Sequence, residues 1–155
     1  MVLSFRGRST HNLDPKGRLS IPARFREVLK QKYGNATLIV TNTPECLQVY
    51  PWPEWQKLEE QLLISPFDPP ELQLYKRYFL GSAEECQPDR QGRILIPQHL
   101  RQEVGIDKEV VLLGMINYFE IWSPRRLENE FNRVREKYSE ISASVASYFV
   151  PKPSA

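Results

Sequence analysis

A stretch of ten residues occurs twice in this chain, and the repeat limits the fold more than any other feature. Leu13-Asp14-Pro15-Lys16-Gly17-Arg18-Leu19-Ser20-Ile21-Pro22 returns as Pro88-Asp89-Arg90-Gln91-Gly92-Arg93-Ile94-Leu95-Ile96-Pro97, with Asp89 lying 75 residues after Asp14. Both copies read Asp-x-x-Gly-Arg-(Leu/Ile)-x-Ile-Pro and run into a helical pattern. A chain built this way holds two copies of one supersecondary unit.

Each position has a physical reason. Asp14 and Asp89 can accept hydrogen bonds from backbone N–H groups two or three residues on and so close a turn. Gly17 and Gly92 supply a positive φ where other residues meet a steric cost. Leu19 and Ile21, like Ile94 and Ile96, alternate with another side chain, which predicts a short strand after the turn. Pro22 and Pro97 suit the first helical position, where no N–H is needed. Arg18 and Arg93 follow the glycine at the turn's edge, where a long cation can reach outward. A single copy reads as a structural turn with Arg paired to the Asp four residues before it. Two copies with the same Gly-Arg step favour a binding role.

The chain has 155 residues, and each copy alone would be only ~50 residues, a marginal size for a domain. Two copies sharing one core are therefore expected. The net charge of +2 is unevenly spread. Residues 1–32 carry Arg6, Arg8, Lys16, Arg18, Arg24, Arg26, Lys30 and Lys32 against Asp14 and Glu27. Residues 54–71 carry Glu54, Glu59, Glu60, Asp68 and Glu71 against Lys57. A basic region of this kind suits a polyanionic partner, although a solvated surface would look the same. Cys46 and Cys86 are isolated and read as half-buried thiols of a reducing compartment. No run suggests a signal peptide or a membrane span, so a cytoplasmic protein is expected.

The periodicity predicts strands over about 7–13 and 81–87, and a helix from Ala23 to Lys32 with Phe25, Val28 and Leu29 inward and Gly34 as its stop. In the second copy Leu100 and Val104 form the stripe and Gly105 the stop. Leu38-Ile39-Val40 matches Val110-Val111-Leu112, and Leu47-Gln48-Val49-Tyr50 matches Phe119-Glu120-Ile121-Trp122. Thr41-Asn42-Thr43-Pro44 and Gly114-Met115-Ile116-Asn117 are expected as hairpin loops. Trp55, Leu58 and Leu62 share a helix face after Pro51-Trp52-Pro53. Ser65 to Pro70 reads as a stiff turn before a helix ending at Tyr78. Ser123 and Pro124 open one long helix to about Tyr148, striped by Leu127, Phe131, Val134, Tyr138, Ile141 and Val145.

These residues resemble the bacterial MraZ family. The resemblance rests on the paired motif, Phe5-Arg6-Gly7, Tyr50-Pro51-Trp52-Pro53-Glu54-Trp55 and Leu80-Gly81-Ser82-Ala83-Glu84-Glu85-Cys86-Gln87, and covers Phe5 to about Tyr138. It implies an α+β fold of two tandem AbrB-like, swapped-hairpin repeats forming one pseudo-two-fold β core. The divisions would be repeat 1 over 5–52, a helical linker over 53–78, repeat 2 over 79–122, a C-terminal helix over 123–149 and a disordered tail over 150–155. It also implies a ring-shaped homo-oligomer that regulates transcription, expected to repress, from short tandem DNA repeats upstream of the division and cell-wall gene cluster. Carried over by position, the family's DNA-contacting Asp-x-x-x-Arg loops fall on Asp14 and Arg18 and on Asp89 and Arg93.

The expected DNA contacts are Arg18, Lys16, Arg93, Arg90, Arg6 and Arg8, with Asp14, Gly17, Asp89 and Gly92 forming the turns. The first copy is the more basic and is expected to bind more strongly. The partners are double-stranded DNA and other copies of the chain, with no membrane, no small-molecule substrate and no cofactor. The rival from another class is a ring-forming scaffold without specific DNA binding, its basic loops paired with the acidic 54–71 segment. An enzyme is disfavoured. His11 and His99 occupy unrelated repeat positions, and spacing builds neither a triad nor a metal site. Gly17 and Gly92 are lone glycines rather than a phosphate loop. Trp52, Trp55 and Trp122 read as core or interface residues.

Overall fold

The computed structural model describes residues 3–63 and 67–149. The chain divides into two units, 1–124 and 125–155. The expected tail over 150–155 lies outside the described residues, as do Ser65 and Pro66 of the expected stiff turn.

In the first unit the elements run β1 (Arg8–Asn12), β2 (Arg18–Ser20), α1 (Ala23–Tyr33), β3 (Leu38–Asn42), β4 (Leu47–Pro51), α2 (Trp52–Leu62), α3 (Pro70–Phe79), β5 (Glu84–Cys86), β6 (Arg93–Leu95), α4 (Gln98–Glu103), β7 (Glu109–Gly114) and β8 (Phe119–Trp122). Six strands form an antiparallel sheet in the order β1-β7-β8-β4-β3-β5, and β2 and β6 form a two-stranded ribbon. Exchanging the copies (β1 for β5, β2 for β6, β3 for β7, β4 for β8) reverses the order and leaves it otherwise unchanged. Each copy lends its first strand to the other. β1 pairs with β7 from Arg8↔Leu113 to Asn12↔Glu109, and β5 pairs with β3 from Leu38↔Cys86 to Val40↔Glu84. A copy alone would leave the outer edge of its third strand open, with unpaired N–H and C=O groups.

The core obeys the same exchange. Phe5, Leu19, Phe25, Leu38, Val40 and Leu47 of the first copy and Ile94, Leu100, Leu112, Phe119 and Ile121 of the second join one buried cluster. Phe25 meets the rings of Phe5 and Phe119 at 5.3 and 5.1 Å. Each such ring contributes about 1.5–3 kcal/mol by burial, so the copies stabilise each other. A second cluster packs Trp55 of α2 and Phe79 of α3 against Ile39 and Tyr50. Buried Glu54 ties the halves together: its carboxylate accepts from Tyr33 Oη at 3.1 Å, from Asn117 Nδ2 at 3.1 Å and from Lys57 Nζ at 3.3 Å.

Several expectations need correction. Pro22 and Pro97 are N-caps with extended ψ of 146° and 143°, one residue before the helical position expected for them. Their carbonyls accept the first helical bonds, from Phe25 and Arg26 and from Leu100 and Arg101. α4 ends at Glu103, so Val104 is its C-cap, and it is buried with Leu100 in the core as the stripe implied. β1 and β5 are shorter than the predicted strands, because pairing to β7 and β3 stops at Arg8–Asn12 and Glu84–Cys86. Thr41, Asn42 and Gly114 lie in strands rather than loops, held by Thr41↔Gln48, Asn42↔Leu47 and Gly114↔Phe119. Cys46 and Cys86 are fully buried rather than half-buried.

The second unit also departs from the single long helix. It contains α5 (Pro124–Glu136), α6 (Tyr138–Ala146) and a 3₁₀ turn over Ser147–Phe149. The break is at Lys137, with φ −118° and ψ 20°. Its N–H is shared between the carbonyls of Arg133 and Val134, both at 3.2 Å. No glycine or proline explains the break. Ion pairs Arg133–Glu130 and Arg135–Glu128 line α5, while Tyr138, Ile141 and Val145 are exposed on α6.

Candidate nucleic-acid interface

The two motif turns have the same hydrogen-bond network. In the first, Asp14 Oδ1 accepts from the amides of Lys16 at 3.0 Å and Arg18 at 2.8 Å, and Oδ2 accepts from Arg18 Nε at 2.5 Å. In the second, Asp89 Oδ1 accepts from the amides of Gln91 and Arg93, and Oδ2 from Arg93 Nε, all at 2.9 Å. The acceptances are therefore two and four residues on. The glycine amide three residues on donates to the Asp carbonyl instead, at 2.9 Å for Gly17 and 3.0 Å for Gly92. The Arg18 amide above all, then the Arg18 side chain, holds the Asp14 carboxyl below the usual carboxylate range. The Arg93 amide leads the same effect on Asp89. Gly17 and Gly92 take φ values of +86° and +74°, as a left-handed turn position requires.

The turns open into the β2–β6 ribbon. Its register is Arg18↔Leu95, Leu19↔Ile94 and Ser20↔Arg93. Opposed residues share a face in an antiparallel pair, so Leu19 and Ile94 point inward and are fully buried. Arg18, Ser20, Arg93 and Leu95 lie on the other, outer face. Arg18 and Arg93 are diagonal neighbours there, roughly 7–8 Å apart at the backbone. Further bonds lock the ribbon across the copies, with Ile21 N–H on Gly92 O and Ile96 N–H on Gly17 O, both at 3.0 Å.

The arginines do not simply reach outward. Each is tied through Nε to its own turn aspartate, with side chains 33% exposed for Arg18 and 27% for Arg93. That tether fixes the guanidinium plane, and the Asp uses Nε while the Nη groups remain available to a second partner. Lys16 and Arg90 are exposed at the turn tips. Arg6 and Arg8 are exposed too, but Arg8 opens β1 at the end away from the turn. Four steps of strand separate it from Asn12, about 14 Å of rise. The structure therefore gathers Arg18, Arg93, Lys16 and Arg90 around the ribbon and sets Arg6 and Arg8 apart.

Sequence reasoning missed one pair. Arg26 Nε donates to Ile21 O and Arg101 Nε to Ile96 O, both at 3.1 Å. Arg26 lies against Gly92 and Arg101 against Gly17, each over the turn of the opposite copy. These arginines also stand 75 residues apart, so extending the repeat alignment four residues past the proline would have found them.

Among the described residues no group of His, Cys, Asp and Glu could hold a metal ion, and no helix is long and apolar enough to cross a membrane. His99 lies on α4 with Nε2 3.9 Å from Glu84. His11 contacts Ser9 Oγ at 2.8 Å, and burial lowers its pKa.

The chain matches the family model described as "MraZ protein, putative antitoxin-like" twice, over residues 4–77 and 79–147, once for each copy of the motif. It is 44% identical over 142 residues to the transcriptional regulator MraZ of Syntrophobacter fumaroxidans, covering 92% of this chain and 94% of the relative. The protein of the same name from Desulforapulum autotrophicum is 41% identical over 145 residues, covering 92% and 97%. That from Pelotomaculum thermopropionicum is 40% identical over 141 residues, covering 91% and 94%.

Proposed function

The chain belongs to the MraZ family, and from that premise we propose a DNA-binding transcriptional regulator that reads duplex DNA with the outer face of the β2–β6 ribbon. One observation carries this reading. Arg18 and Arg93 sit on the same exposed face of a two-stranded ribbon, each held in plane by an aspartate. The major groove of B-DNA admits a two-stranded ribbon, and an oriented guanidinium pairs with guanine O6/N7 or grips a phosphate at two points. Lys16 and Arg90 at the turn tips take flanking phosphates. Arg6 and Arg8 contact more distant phosphates.

The copies form a pseudo-symmetric, AbrB-like swapped-hairpin unit, in support of which stands the reversal of strand order under exchange. The first copy, with Lys16 where the second has Gln91, binds more strongly. Chains assemble into a ring that presents several ribbons to short tandem repeats, so that effective concentration multiplies a modest single contact. The site lies upstream of the division and cell-wall gene cluster, the outcome is repression, and the protein acts at the nucleoid as a regulator rather than an enzyme.

The test is a binding titration against a duplex of repeated short sites and a scrambled duplex of equal length, at two salt concentrations. The repeat duplex should bind more tightly. With four phosphate contacts per chain, log affinity should fall with log salt at a slope of roughly −3 to −4 per engaged chain. Failure to bind either duplex would turn the assignment over to the scaffold.

A further inference from the structure

A groove of about 460 Å³ lies between α1 and the second motif turn. Ile21, Leu29 and Pro88 supply apolar surface, and Arg26, Lys30 and Arg90 supply three cations. Arg26 is fixed by its bond to Ile21 O and by its stem lying over Gly92. Of the two acids in the lining, Asp89 is ion-paired with Arg93 and accepts from two amides. Glu27 has only the Gln31 amide as partner among the described residues and keeps its charge, so three cations stand against one uncompensated anion. Lys30 and Arg90 have no carboxylate partner among the described residues. The first turn of α1 holds no acid, and no side chain caps it. The groove is thus a concave surface with two uncommitted cations and one anchored cation facing an apolar floor.

The repeat supplies an internal comparison. At positions 75 residues away Arg26 becomes Arg101, but Lys30 becomes Gly105, Glu27 becomes Gln102 and Arg90 becomes Pro15. The backbone motif and the anchored arginine are common to both copies. The two free cations belong to one. Lys30 also suits the C-terminal turn of α1, but Arg90 has no such role, and neither is needed to build the turn or the helix.

We propose that this groove binds a small organic phosphate. Arg26, Lys30 and Arg90 hold the phosphate through charge-assisted hydrogen bonds, and the organic part rests on Ile21, Leu29 and Pro88. The volume falls in the range of small-molecule sites, which are apolar with a few convergent polar groups. The ligand is bound and released rather than transformed. The site needs neither Arg18 nor Arg93; it shares only Arg90 with the proposed DNA surface, and Lys30 tells the two apart.

The test is calorimetric titration of the full chain with ADP and with adenosine. ADP should bind at one site per chain, and adenosine, lacking the phosphates, should give no measurable binding. Lys30→Ala and the double variant Lys30→Ala/Arg90→Ala should weaken ADP at least tenfold while melting like the parent. Lys32→Ala/Lys108→Ala removes the same charge outside the groove and should change ADP affinity less than twofold. Lys30→Ala should leave duplex binding within twofold of the parent. No binding of ADP at millimolar concentration would overturn the proposal. So would equal losses in the two double variants, which would indicate diffuse charge attraction, or a Lys30→Ala that weakens duplex binding and leaves ADP unaffected, which would make the groove part of the DNA surface.

Discussion

Arg101 lies across Gly17: a Cβ placed on Gly17 would come within 2.8 Å of the Arg101 guanidinium carbon. The mirrored contact sets Arg26 over Gly92, with Cδ 2.6 Å from a Cβ there. The motif glycine therefore has two jobs. It takes a left-handed φ, and it leaves room for the helix arginine of the opposite copy. Gly17→Ala should cost about 2–3 kcal/mol, from the left-handed backbone and from displacing Arg101. Gly17→Ala/Arg101→Ala should recover roughly 1 kcal/mol of that, because the steric part is removed and the φ strain stays. Urea unfolding of the four members of the cycle measures the difference. Strict additivity would contradict the contact.

Ile116 adopts φ +71° in the β7–β8 loop, an unusual conformation for a β-branched residue. Its backbone is held there by reciprocal bonds with Phe5, both at 2.8 Å, while its side chain is 70% exposed. Ile116→Gly should stabilise the protein by about 1 kcal/mol, since it relieves strain and gives up little burial. A thermal melt checks this, and a lower melting temperature would contradict it.

Asp14 and Asp89 have carboxyls held below the usual range by the amides that they accept. A lowered folded pKa means that the contribution to stability is complete above the unfolded value, about 3.9 for Asp. It is lost as pH falls through the lower, folded value. The amide resonances of Lys16, Arg18, Gln91 and Arg93 should therefore stay constant from neutral pH to about 5 and shift only below about 3.9. Asp14→Asn should abolish the first pair of transitions and leave the second. A transition centred above the unfolded value would contradict the bonding described.

Burial pushes the Cys86 thiol up to about 11 and raises that of Cys46 as well. Both side chains are at most 5% exposed. A disulfide reagent at mildly alkaline pH should label neither in the native protein and both after denaturation, because the thiolate is the reactive form. Rapid native labelling of either would show that its cover opens.

The turns were legible because their chemistry is local: Asp, Gly and Arg within five residues specify the loop, and the alternation of Leu19 and Ile21 specifies the strand after it. Strand partners were not legible from periodicity. The pattern of β1 says which residues point inward, not that Val111 of the other copy lies opposite Thr10. That pairing depends on contacts about 100 residues apart in sequence, and only the family resemblance suggested it. β5 was indistinct because it is a three-residue edge strand with two exposed glutamates. The break at Lys137 carried no signal, since the apolar stripe runs through it and no breaker residue marks it. For the site, Arg18 and Arg93 were visible as motif residues. Their placement on one face needed the β2–β6 register, and Leu95 and Ser20 join that face only through it.

The central claim is that the outer face of the β2–β6 ribbon meets DNA. The most direct measurement compares the affinity of the parent, Arg18→Ala and Arg93→Ala for the duplex of repeated sites, with melting curves to confirm that each variant is folded. Each arginine should be worth about 1–3 kcal/mol per ribbon, and Arg18→Ala should show the larger loss. Folded variants that bind the duplex as tightly as the parent would contradict the account.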